Sequence, residues 1–398
     1  MRVLYLTHRL PYAPNRGDRI RAYHTLRALA GHADVELVSL LHEREEQAAL
    51  AGMHELADRV HGLRTRWLRS RLAALLALAG PRPLTHVLLD APGIRSRLAR
   101  IVARRRPDVV LALCTGMARF ALEPPLASIP WVLDMVDVDS EKWRALGERT
   151  RGPMGWIYRR EARTLARFEA LAARCAHRTL VVTDRERRSL ARLAPEARIE
   201  VVENGIELAH FRNPAPPAAS SEIVFCGVMD YAPNHEAAVW FATEVLPRVR
   251  RSRPEATFRV VGMRPRPELV RLAARDPAIT VTGAVDDVRP ELWRAAVSVA
   301  PLMTARGVQN KVLEALAAGL PCVVSPAVAA GLPTALAPFC AVADSAERFA
   351  EATTSLLALS PAERRERVRT APLAAYDWAQ RLAPLVASLA EAAATRPA

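Results

Sequence analysis

Lysine is nearly absent from this chain. Of its 56 basic residues, only Lys142 and Lys311 are lysine, and all the others are arginine. Asparagine is also rare, and its five occurrences are Asn15, Asn204, Asn213, Asn234 and Asn310. Because the composition favours arginine so strongly, the two lysines and the stretches that hold the asparagines are candidates for chemistry. The alternative interpretation is that the two lysines are present by chance and have no functional role.

Cysteine pairs and long apolar runs are missing as well. The five cysteines are widely scattered without a CxxC pair, and the opening residues MRVLYLTHRLPYAP lack the apolar run of a signal peptide. The longest apolar run, LAALLALAG from Leu72, is far shorter than the ~18–20 residues needed to cross a bilayer. We therefore expect a reduced, cytoplasmic protein without a membrane-spanning helix.

Acidic residues are too few to balance the basic ones, and the net charge is +14. Such a charge indicates an anionic partner, which can be nucleic acid, anionic lipid or a phosphorylated substrate. Aromatic residues make up only 5% of the chain and are not interleaved with the basic runs, so we expect no nucleic-acid partner. A hydrophobic content of 51% excludes a disordered chain.

Residues 59–89 contain no acidic side chain at all. In this segment Trp67 and four arginines stand directly before the apolar run, and the arginines are Arg64, Arg66, Arg69 and Arg71. That order suits a helix that lies in the interface of an anionic membrane. An ordinary domain helix, with an apolar core face and solvated arginines, fits the segment equally well.

Short apolar segments alternate with helical patterns along the whole chain. The first set of predicted strands comprises residues 3–7, 35–40, 108–114, 131–136, 179–183 and 199–204. After the linker-like stretch FRNPAPPAASS, a second set comprises residues 222–228, 257–262, 279–283, 297–302 and 321–325. Near-continuous apolar strands between helices indicate parallel sheets covered on both faces. We therefore predict an α/β fold of two doubly wound, Rossmann-like domains facing a central cleft, where such sheets bind ligands.

Four stretches together resemble one enzyme family. They are PYAPNRGDRIRAYH, DMVDVDSEKW, GVMDYAPN and GVQNKVLEALAAGLP. The order of GDRIR, ENGIE, GVMDY, VTGAVDD and LEALAAGLPCVVS along the chain resembles the GT-B glycosyltransferases of family 4. The four longer stretches most closely resemble the sugar transferases found with PEP-CTERM/exosortase exopolysaccharide systems. The resemblance implies transfer of a sugar from a nucleotide-sugar donor, with retention at the anomeric carbon and with no metal or other cofactor.

The resemblance also implies a division of the chain. Residues 1–205, with a returning helix in 376–398, would form the acceptor-side domain, and residues 206–375 would bind the nucleotide-sugar. The apolar face of that helix is Leu382, Leu385, Val386 and Leu389. In exopolysaccharide synthesis the acceptor is a glycan, usually lipid-linked. The expected location is therefore the cytoplasm, at the inner face of the plasma membrane, with residues 59–89 against anionic lipid.

Lys311 lies in the first turn of the helix that the stretch VQNKVLEALAAG predicts. A departing nucleoside diphosphate needs positive charge or N–H donors, and a helix N-terminus favours a phosphate there. We assign donor binding and catalysis to Lys311, because a compact ammonium suits a point contact to one phosphate oxygen. By resemblance, Glu314 binds the ribose hydroxyls. The predicted donor-binding loop also includes Arg306, Gly307, Gln309 and Asn310.

The sequence departs from the family at three positions. Family members commonly carry a Glu eight residues before the ribose-binding one, and Arg306 stands there in this chain. Many members also carry an Arg and a Lys on the diphosphate after the first strand of the second domain. Val228 and Asn234 occupy those positions here. We therefore expect Arg306 and Lys311 to neutralise the diphosphate instead.

The loop APNRGDRIR follows the first predicted strand. Gly17 permits a close backbone approach to the donor, and we predict that Arg19 faces the same phosphates as a catalytic residue. A turn that only connects a strand to a helix is the alternative interpretation.

The stretch DMVDVDSEKW contains three aspartates, Asp134, Asp137 and Asp139. A metal-binding DxD motif is one interpretation, but that motif belongs to transferases with one nucleotide domain, so we expect no metal. We predict instead that Asp137 or Asp139 orients the acceptor hydroxyl, with Asp137 as the catalytic candidate and Lys142 as the contact to an acceptor phosphate. The spacing alone does not decide which aspartate acts.

Two other functions fit the same architecture. A nucleotide-sugar 2-epimerase also binds its substrate between two such domains, and a nucleotide-sugar-binding protein without turnover would look similar. Covalent hydrolase chemistry is not expected, because the sequence shows neither a Ser-His-Asp order nor a GxSxG motif. The motifs leave the sugar, the base and the acceptor open.

Overall fold

The structure is a computed structural model that describes residues 1–12, 17–65, 73–215, 219–305 and 308–395. The chain folds as two compact units, Met1–Gly205 with Trp378–Ala398, and Ile206–Asp377. Some predicted site and membrane residues lie outside the described ranges, namely Arg66, Trp67, Arg69, Arg71, Arg306 and Gly307.

A seven-stranded parallel sheet forms the middle of the first unit, in the order β3-β2-β1-β4-β5-β6-β7. Its strands are β1 Arg2–Thr7, β2 Asp34–Leu41, β3 Arg59–Arg64, β4 Val109–Leu113, β5 Trp131–Val136, β6 Arg178–Val181 and β7 Ile199–Val201. The connection from β3 to β4 crosses β2 and β1, so the strand order reverses between β1 and β4. At such a point the loops beyond the carboxyl ends leave room for a ligand.

Helices cover both faces of this sheet. Those before the second unit are α1 Gly17–Ala30, α2 Arg44–Ala49, α3 Leu84–Leu88, α4 Ile94–Arg104, α5 Thr115–Ala121, α6 Asp139–Arg149, α7 Gly152–Cys175 and α8 Asp184–Leu193. Alternate residues of β1 point to opposite layers, Val3 and Tyr5 to one core cluster, Leu4 and Leu6 to the other. Burying each aliphatic side chain of this strand, Val3, Leu4 and Leu6, contributes roughly 1.5–3 kcal/mol. The two-sided burial explains the near-continuous apolar strand sequences.

Residues 59–64 form the edge strand β3, which pairs in parallel with β2. Arg64 ends this strand, so the expectation that it belongs to an interfacial helix is wrong for this residue. Beyond the undescribed stretch, residues 73–77 are helical, and a turn follows them at 78–80. The apolar run therefore contributes only a short helix to the described part of the segment.

The second unit contains a six-stranded parallel sheet in the order β10-β9-β8-β11-β12-β13. Its strands are β8 Glu222–Cys226, β9 Thr257–Val261, β10 Ile279–Val281, β11 Val297–Ala300, β12 Cys322–Val324 and β13 Cys340–Val342. Its α-helices are α9 Leu208–Phe211, α10 Ala232–Trp240, α11 Leu246–Ser252, α12 Pro267–Arg275, α13 Arg289–Trp293, α14 Asn310–Ala317, α15 Pro326–Ala329, α16 Ala346–Ala358 and α17 Pro361–Arg369. The order reverses between β8 and β11, so the expected ligand edge lies where these two strands end.

The last helix, α18 Trp378–Ala394, belongs to the first unit. Leu382, Leu385 and Leu389 are wholly buried in the same core cluster as Val3 and Tyr5 of β1. The predicted apolar face of the returning helix is therefore confirmed. The two α/β sheets also confirm the predicted fold class.

Candidate functional site

Lys311 lies at the start of α14, which follows the β11 strand of the second unit. The side chain of Gln309 does not cap this helix. The N–H of Val312 donates to the Gln309 carbonyl at 2.9 Å, and the partial positive charge of a helix N-terminus favours an anion beside it. The predicted helix around Lys311 is therefore present, and its N-terminus lies on the carboxyl side of the sheet.

The Lys311 ammonium has two close neighbours. Its Nζ donates a hydrogen bond to Asn234 Oδ1 at 2.6 Å, and it lies 4.5 Å from the centre of the Phe225 ring. Asn234 is itself buried and donates from Nδ2 to the carbonyl of Val228 at 3.0 Å, which turns Oδ1 toward the lysine. The amine is thus held by a preorganised acceptor and a ring face.

By the resemblance described above, Asn234 occupies the position at which a lysine is expected. Its side chain packs so closely on Gly227, the residue after β8, that a Cβ there would come within 2.7 Å of Nδ2. In this chain Lys311 on α14 supplies the ammonium, and Asn234 on α10 orients it. Sequence reasoning marked both residues but did not predict their contact.

Burial changes the protonation of this site. It lowers the pKa of Lys311 to about 8, although Cys226 and Glu314 oppose the shift. Burial also raises the pKa of Glu314 to about 7, and the nearby Lys311 opposes that shift. Low-dielectric surroundings disfavour both charged forms. A bound diphosphate would raise the pKa of Lys311 again, because negative charge beside the amine stabilises its protonated form.

Exposed apolar side chains border the same strand ends. Val228 and Tyr231 follow β8 and are 42% and 56% exposed, and Met303 follows β11 and is 71% exposed. Large apolar side chains that stay in solvent beside polar groups often mark a binding surface. Sequence reasoning missed Tyr231 and Met303, because exposed apolar residues carry no motif.

In the first unit, Asp134 has a structural partner. It is fully buried on β5 and accepts two hydrogen bonds from Arg21, at 2.8 Å from Nε and 2.9 Å from Nη2. Arg21 also donates to the carbonyl of Val202 and to Asn204 Oδ1, both at 3.0 Å. These bonds connect α1, β5 and the ENG stretch. The Asp134 carboxylate is therefore held in a buried ion pair with Arg21.

Asp137 and Asp139 lie in a tight connection between β5 and α6. Val136 has a positive φ of 68°, and the N–H of Asp137 donates to the Met135 carbonyl at 2.9 Å. Asp137 is exposed, and Asp139 begins α6. Loss of hydration raises the pKa of both carboxyls, and Lys142 opposes the shift in each. The three predicted acceptor-side residues thus form one electrostatic group.

Two further carboxylates hold this connection. Glu186 accepts from the N–H of Val138 at 2.8 Å, and Glu169 accepts from both the N–H and the hydroxyl of Ser140. Burial raises the pKa of Glu169 to about 7, and the bonds from Ser140 oppose the shift. Sequence reasoning missed both glutamates, because each is about 30 or more residues away along the chain. They fix the start of α6 and so the position of Asp139.

Arg19, predicted to face phosphate, is buried at the start of α1, the helix that Gly17 begins. Its guanidinium contacts Glu46 at 2.7 Å and Glu43 at 3.4 Å. Its role at a phosphate stays a prediction, as do the donor roles of Gly17, Gln309 and Asn310. Within the described ranges, no cluster of His, Cys, Asp or Glu side chains suits a metal ion. No helix of the described part of the chain is long and apolar enough to cross a membrane.

Comparison with known proteins agrees with this fold. The chain matches the family model of glycosyl transferases group 1 over residues 220–358 and the glycosyl transferase 4-like domain over residues 17–205. No curated protein matches the sequence.

Several solved structures share the architecture. A UDP complex of Anabaena Alr3699/HepE superposes with a TM-score of 0.65 at 12% identity, covering 98% of this chain and 100% of that one. Sucrose-phosphate synthase from Thermosynechococcus elongatus gives 0.63 at 16% identity with the same coverage. A UDP-forming α,α-trehalose-phosphate synthase from Burkholderia vietnamiensis gives 0.61 at 14%, again with 98% and 100% covered. Because the two family models together span more than four fifths of the sequence, and the fold matches throughout, the chain belongs to the GT-B glycosyltransferases.

Proposed function

We propose that this glycosyltransferase transfers a sugar from a nucleoside diphosphate sugar to a glycan acceptor, with retention at the anomeric carbon and without a metal. The donor would bind at the carboxyl edge of the second unit's sheet, beside the start of α14. Structures of similar fold hold UDP and UDP-glucose. A nucleoside diphosphate sugar is therefore the donor class that we propose for this chain.

The bond between Lys311 and Asn234 carries the proposal. When the bond from the anomeric carbon to the diphosphate breaks, negative charge builds up on the departing phosphate oxygen. A preorganised cation and helix N–H groups stabilise that charge without a reorganisation cost. Lys311 and the start of α14 supply both, so the proposed mechanism needs no metal to neutralise the leaving group.

Glu314 lies one turn after Lys311 on the same helix face. We propose that its carboxylate accepts hydrogen bonds from the ribose hydroxyls. The nucleotide would then lie along the axis of α14. The raised pKa of Glu314, about 7, means that burial opposes its ionised form. Hydrogen bonds donated by two hydroxyls would stabilise that form and so link nucleotide binding to ionisation of Glu314.

On the acceptor side we propose roles for Asp137, Asp139 and Lys142 in the first unit. Asp137 is exposed and so can accept a hydrogen bond from the acceptor hydroxyl, and the exposed Lys142 can contact an acceptor phosphate. In a retaining reaction of this kind a donor phosphate oxygen can take the hydroxyl proton. The aspartate therefore orients the acceptor and need not act as a general base.

The resemblance of four sequence stretches to PEP-CTERM/exosortase sugar transferases supports a narrower proposal. The acceptor would be a lipid-linked glycan of exopolysaccharide synthesis, at the inner face of the plasma membrane. A net charge of +14 and the acid-free residues 59–89 would favour an anionic surface.

A thermal-shift screen of nucleoside diphosphates and their sugars tests the donor half. A ligand that binds only the folded state raises the apparent stability with the logarithm of concentration over Kd. We expect a shift in the wild type and a smaller one in Lys311→Ala. The exposed Arg271 on α12 provides a matched control, since Arg271→Ala removes one charge from the same unit away from α14.

A turnover assay tests the reaction. Release of nucleotide only when a glycan acceptor is present would support transfer. Isomerisation of the donor without acceptor would indicate an epimerase, and binding without either reaction would indicate a non-catalytic protein. Each of these last two results would overturn the proposed function while leaving the assigned donor site intact.

A further inference from the structure

Helices α6 and α7 form an antiparallel hairpin in the first unit. Only Thr150 and Arg151 join them. The helices pack closely at Gly147, where a Cβ would come within 2.8 Å of the Arg159 side chain, and Arg159 donates to the Gly147 carbonyl at 2.9 Å. The hairpin is therefore a well-packed element and not a loose loop.

The turn of this hairpin projects beyond the carboxyl edge of the sheet. Ser140, just after β5, bonds to Glu169, and the chain needs only nine more residues after Glu169 to reach the start of β6. Glu169 thus lies near the level of the strand ends. Residues 152–168 of α7 precede it and extend roughly 25 Å further at 1.5 Å per residue.

The turn region exposes three large apolar side chains to solvent. Leu146 is 40% exposed, and Met154 and Trp156 are each 48% exposed. Such side chains gain free energy when a partner or a lipid phase removes them from water. They lie on the same side of the unit as Asp137 and Asp139, because the hairpin starts at these residues.

The acidic side chains of α7 are buried, and its exposed charged side chains are all basic. Both of its acidic residues, Glu161 and Glu169, are buried, and its exposed charged side chains are Arg159, Arg163, Arg167 and Arg174. Arg159, Arg163 and Arg167 follow Trp156 at intervals of three or four residues, so they lie along one helix face. On α6, Arg144 pairs with both Glu141 and Glu148, at 2.7 and 2.6 Å.

Part of the acid-free segment is attached to the same helix. The buried Arg160 donates to the carbonyls of Ala77, Leu78, Gly80 and Arg82. Glu161 accepts from the N–H groups of Leu84 and Thr85 at 2.7 and 2.8 Å. Just before this attachment, Leu75 and Leu76 are 64% and 84% exposed. Two more exposed apolar side chains therefore lie just before the segment that α7 holds.

We propose that this surface, Leu75, Leu76, Leu146, Met154 and Trp156 with Arg159, Arg163 and Arg167, docks on an anionic lipid bilayer. The inference rests on the proposed transfer to a membrane-bound acceptor and names the surface that reaches the membrane. The charge pattern selects this partner, because a basic row with an aromatic and aliphatic tip matches lipid phosphates above an apolar phase. Docking there presents Asp137 and Asp139 to acceptors that stand on the bilayer.

Sedimentation with phosphatidylcholine vesicles, with and without phosphatidylglycerol, tests the proposal. Each arginine near an anionic surface is worth about fivefold in partitioning, so Arg163→Ser with Arg167→Ser should weaken binding to anionic vesicles roughly 25-fold. High salt should weaken but not abolish the binding of the wild type, because the Debye length falls from ~10 Å at 0.1 M to ~3 Å at 1 M while the apolar contacts persist. Trp156→Ser should weaken the remaining, salt-resistant binding.

The matched control removes the same charge elsewhere. Arg271 and Arg275 are exposed on α12 of the second unit, and Arg271→Ser with Arg275→Ser should leave sedimentation unchanged. Equal loss in both double variants would mean that net charge alone matters and would overturn the proposal. Loss of sedimentation only when Arg64, Arg66, Arg69 and Arg71 become Ser would also overturn the proposal. Residues 59–89 alone would then bind the membrane.

The nucleotide thermal shift separates this proposal from the proposed function. The variant at Arg163 and Arg167 should keep the wild-type shift and melting temperature, because neither side chain lies in the second unit. Normal vesicle binding without any nucleotide binding would refute the transferase assignment alone. Normal nucleotide binding without vesicle binding at low salt would refute the docking surface alone.

Discussion

Removing the Lys311 ammonium should slow transfer by ~100-fold or more, the usual effect of losing one preorganised partner of a developing charge. The structure gives the reason for the size of this effect. Asn234 Oδ1 at 2.6 Å and the Phe225 ring at 4.5 Å hold the amine in place. Water that replaces the side chain in Lys311→Ala would be neither charged nor fixed.

Asn234 should act only through Lys311. Asn234→Ala removes the acceptor that orients the amine, and a hydrogen bond to a charged group is worth about 1.5–3 kcal/mol, or ~10–150-fold. Because the amine remains, we expect a loss at the lower end of this range. The double variant should be no slower than Lys311→Ala, since a positioning residue has nothing left to position. A double-mutant cycle would then show strong coupling between the two sites.

A relocated lysine should restore part of the rate. Asn234 contacts the ammonium directly, so Asn234→Lys in the Lys311→Ala background places a cation near the same point from α10. Lys311→Arg should restore less, because a planar guanidinium is larger than the ammonium that fits between Asn234 and Phe225.

Steady-state rates of nucleotide release, measured with saturating acceptor, provide the assay, with Arg271→Ala as the control for charge. Near-normal turnover of Lys311→Ala would refute the assignment of the leaving-group cation. Additive losses in the cycle would refute the positioning role of Asn234, even if Lys311 itself proves essential.

Three further results are expected. Asp134→Ala should lower the free energy of unfolding by about 3–5 kcal/mol in urea titrations, because it leaves the buried Arg21 charge unpaired; a loss below ~1 kcal/mol would contradict the buried pair. Truncation after residue 375 should give insoluble protein, because it exposes the core face against which Leu382 and Leu389 pack; a soluble, active truncation would contradict this. In the pH profile of kcat/KM, the rate should fall as pH rises through about 8, where Lys311 loses its proton; Lys311→Ala should lose this alkaline limb, and an unchanged limb would assign it to another group.

The central strands could be predicted from the sequence, and two of the four edge strands, β3 and β13, could not. Strands such as VLYLT and WVLDMV are apolar at nearly every position because helices cover both faces of the sheet. The missed strands β3 and β13 lie at sheet edges and read RVHGLR and CAV. Their residues are only partly buried, so their sequences lack the signal on which the prediction depends.

Single residues were easier to select from the sequence than their partners. The bias toward arginine singled out Lys311, and the helix around it was clear from its periodicity. The pair of Arg21 and Asp134 joins residues 113 positions apart, and Lys311 and Asn234 are 77 apart. No spacing rule reaches such distances, because only the packing of the sheet brings these side chains together.

The exchange at Asn234 shows why a motif can be lost while its charge is kept. The carboxyl ends of β8 and β11 are adjacent, so a lysine from α10 and a lysine from α14 can reach the same point above the sheet. A change of Lys to Asn on α10 would leave the side-chain oxygen of Asn234 without a hydrogen-bond donor. The Lys311 ammonium on α14 donates to that oxygen at 2.6 Å. The position of the charge is fixed by the diphosphate that we propose binds there. The helix that supplies it is not fixed, and this explains how an Arg-rich chain can depart from the family pattern and retain one lysine at this edge.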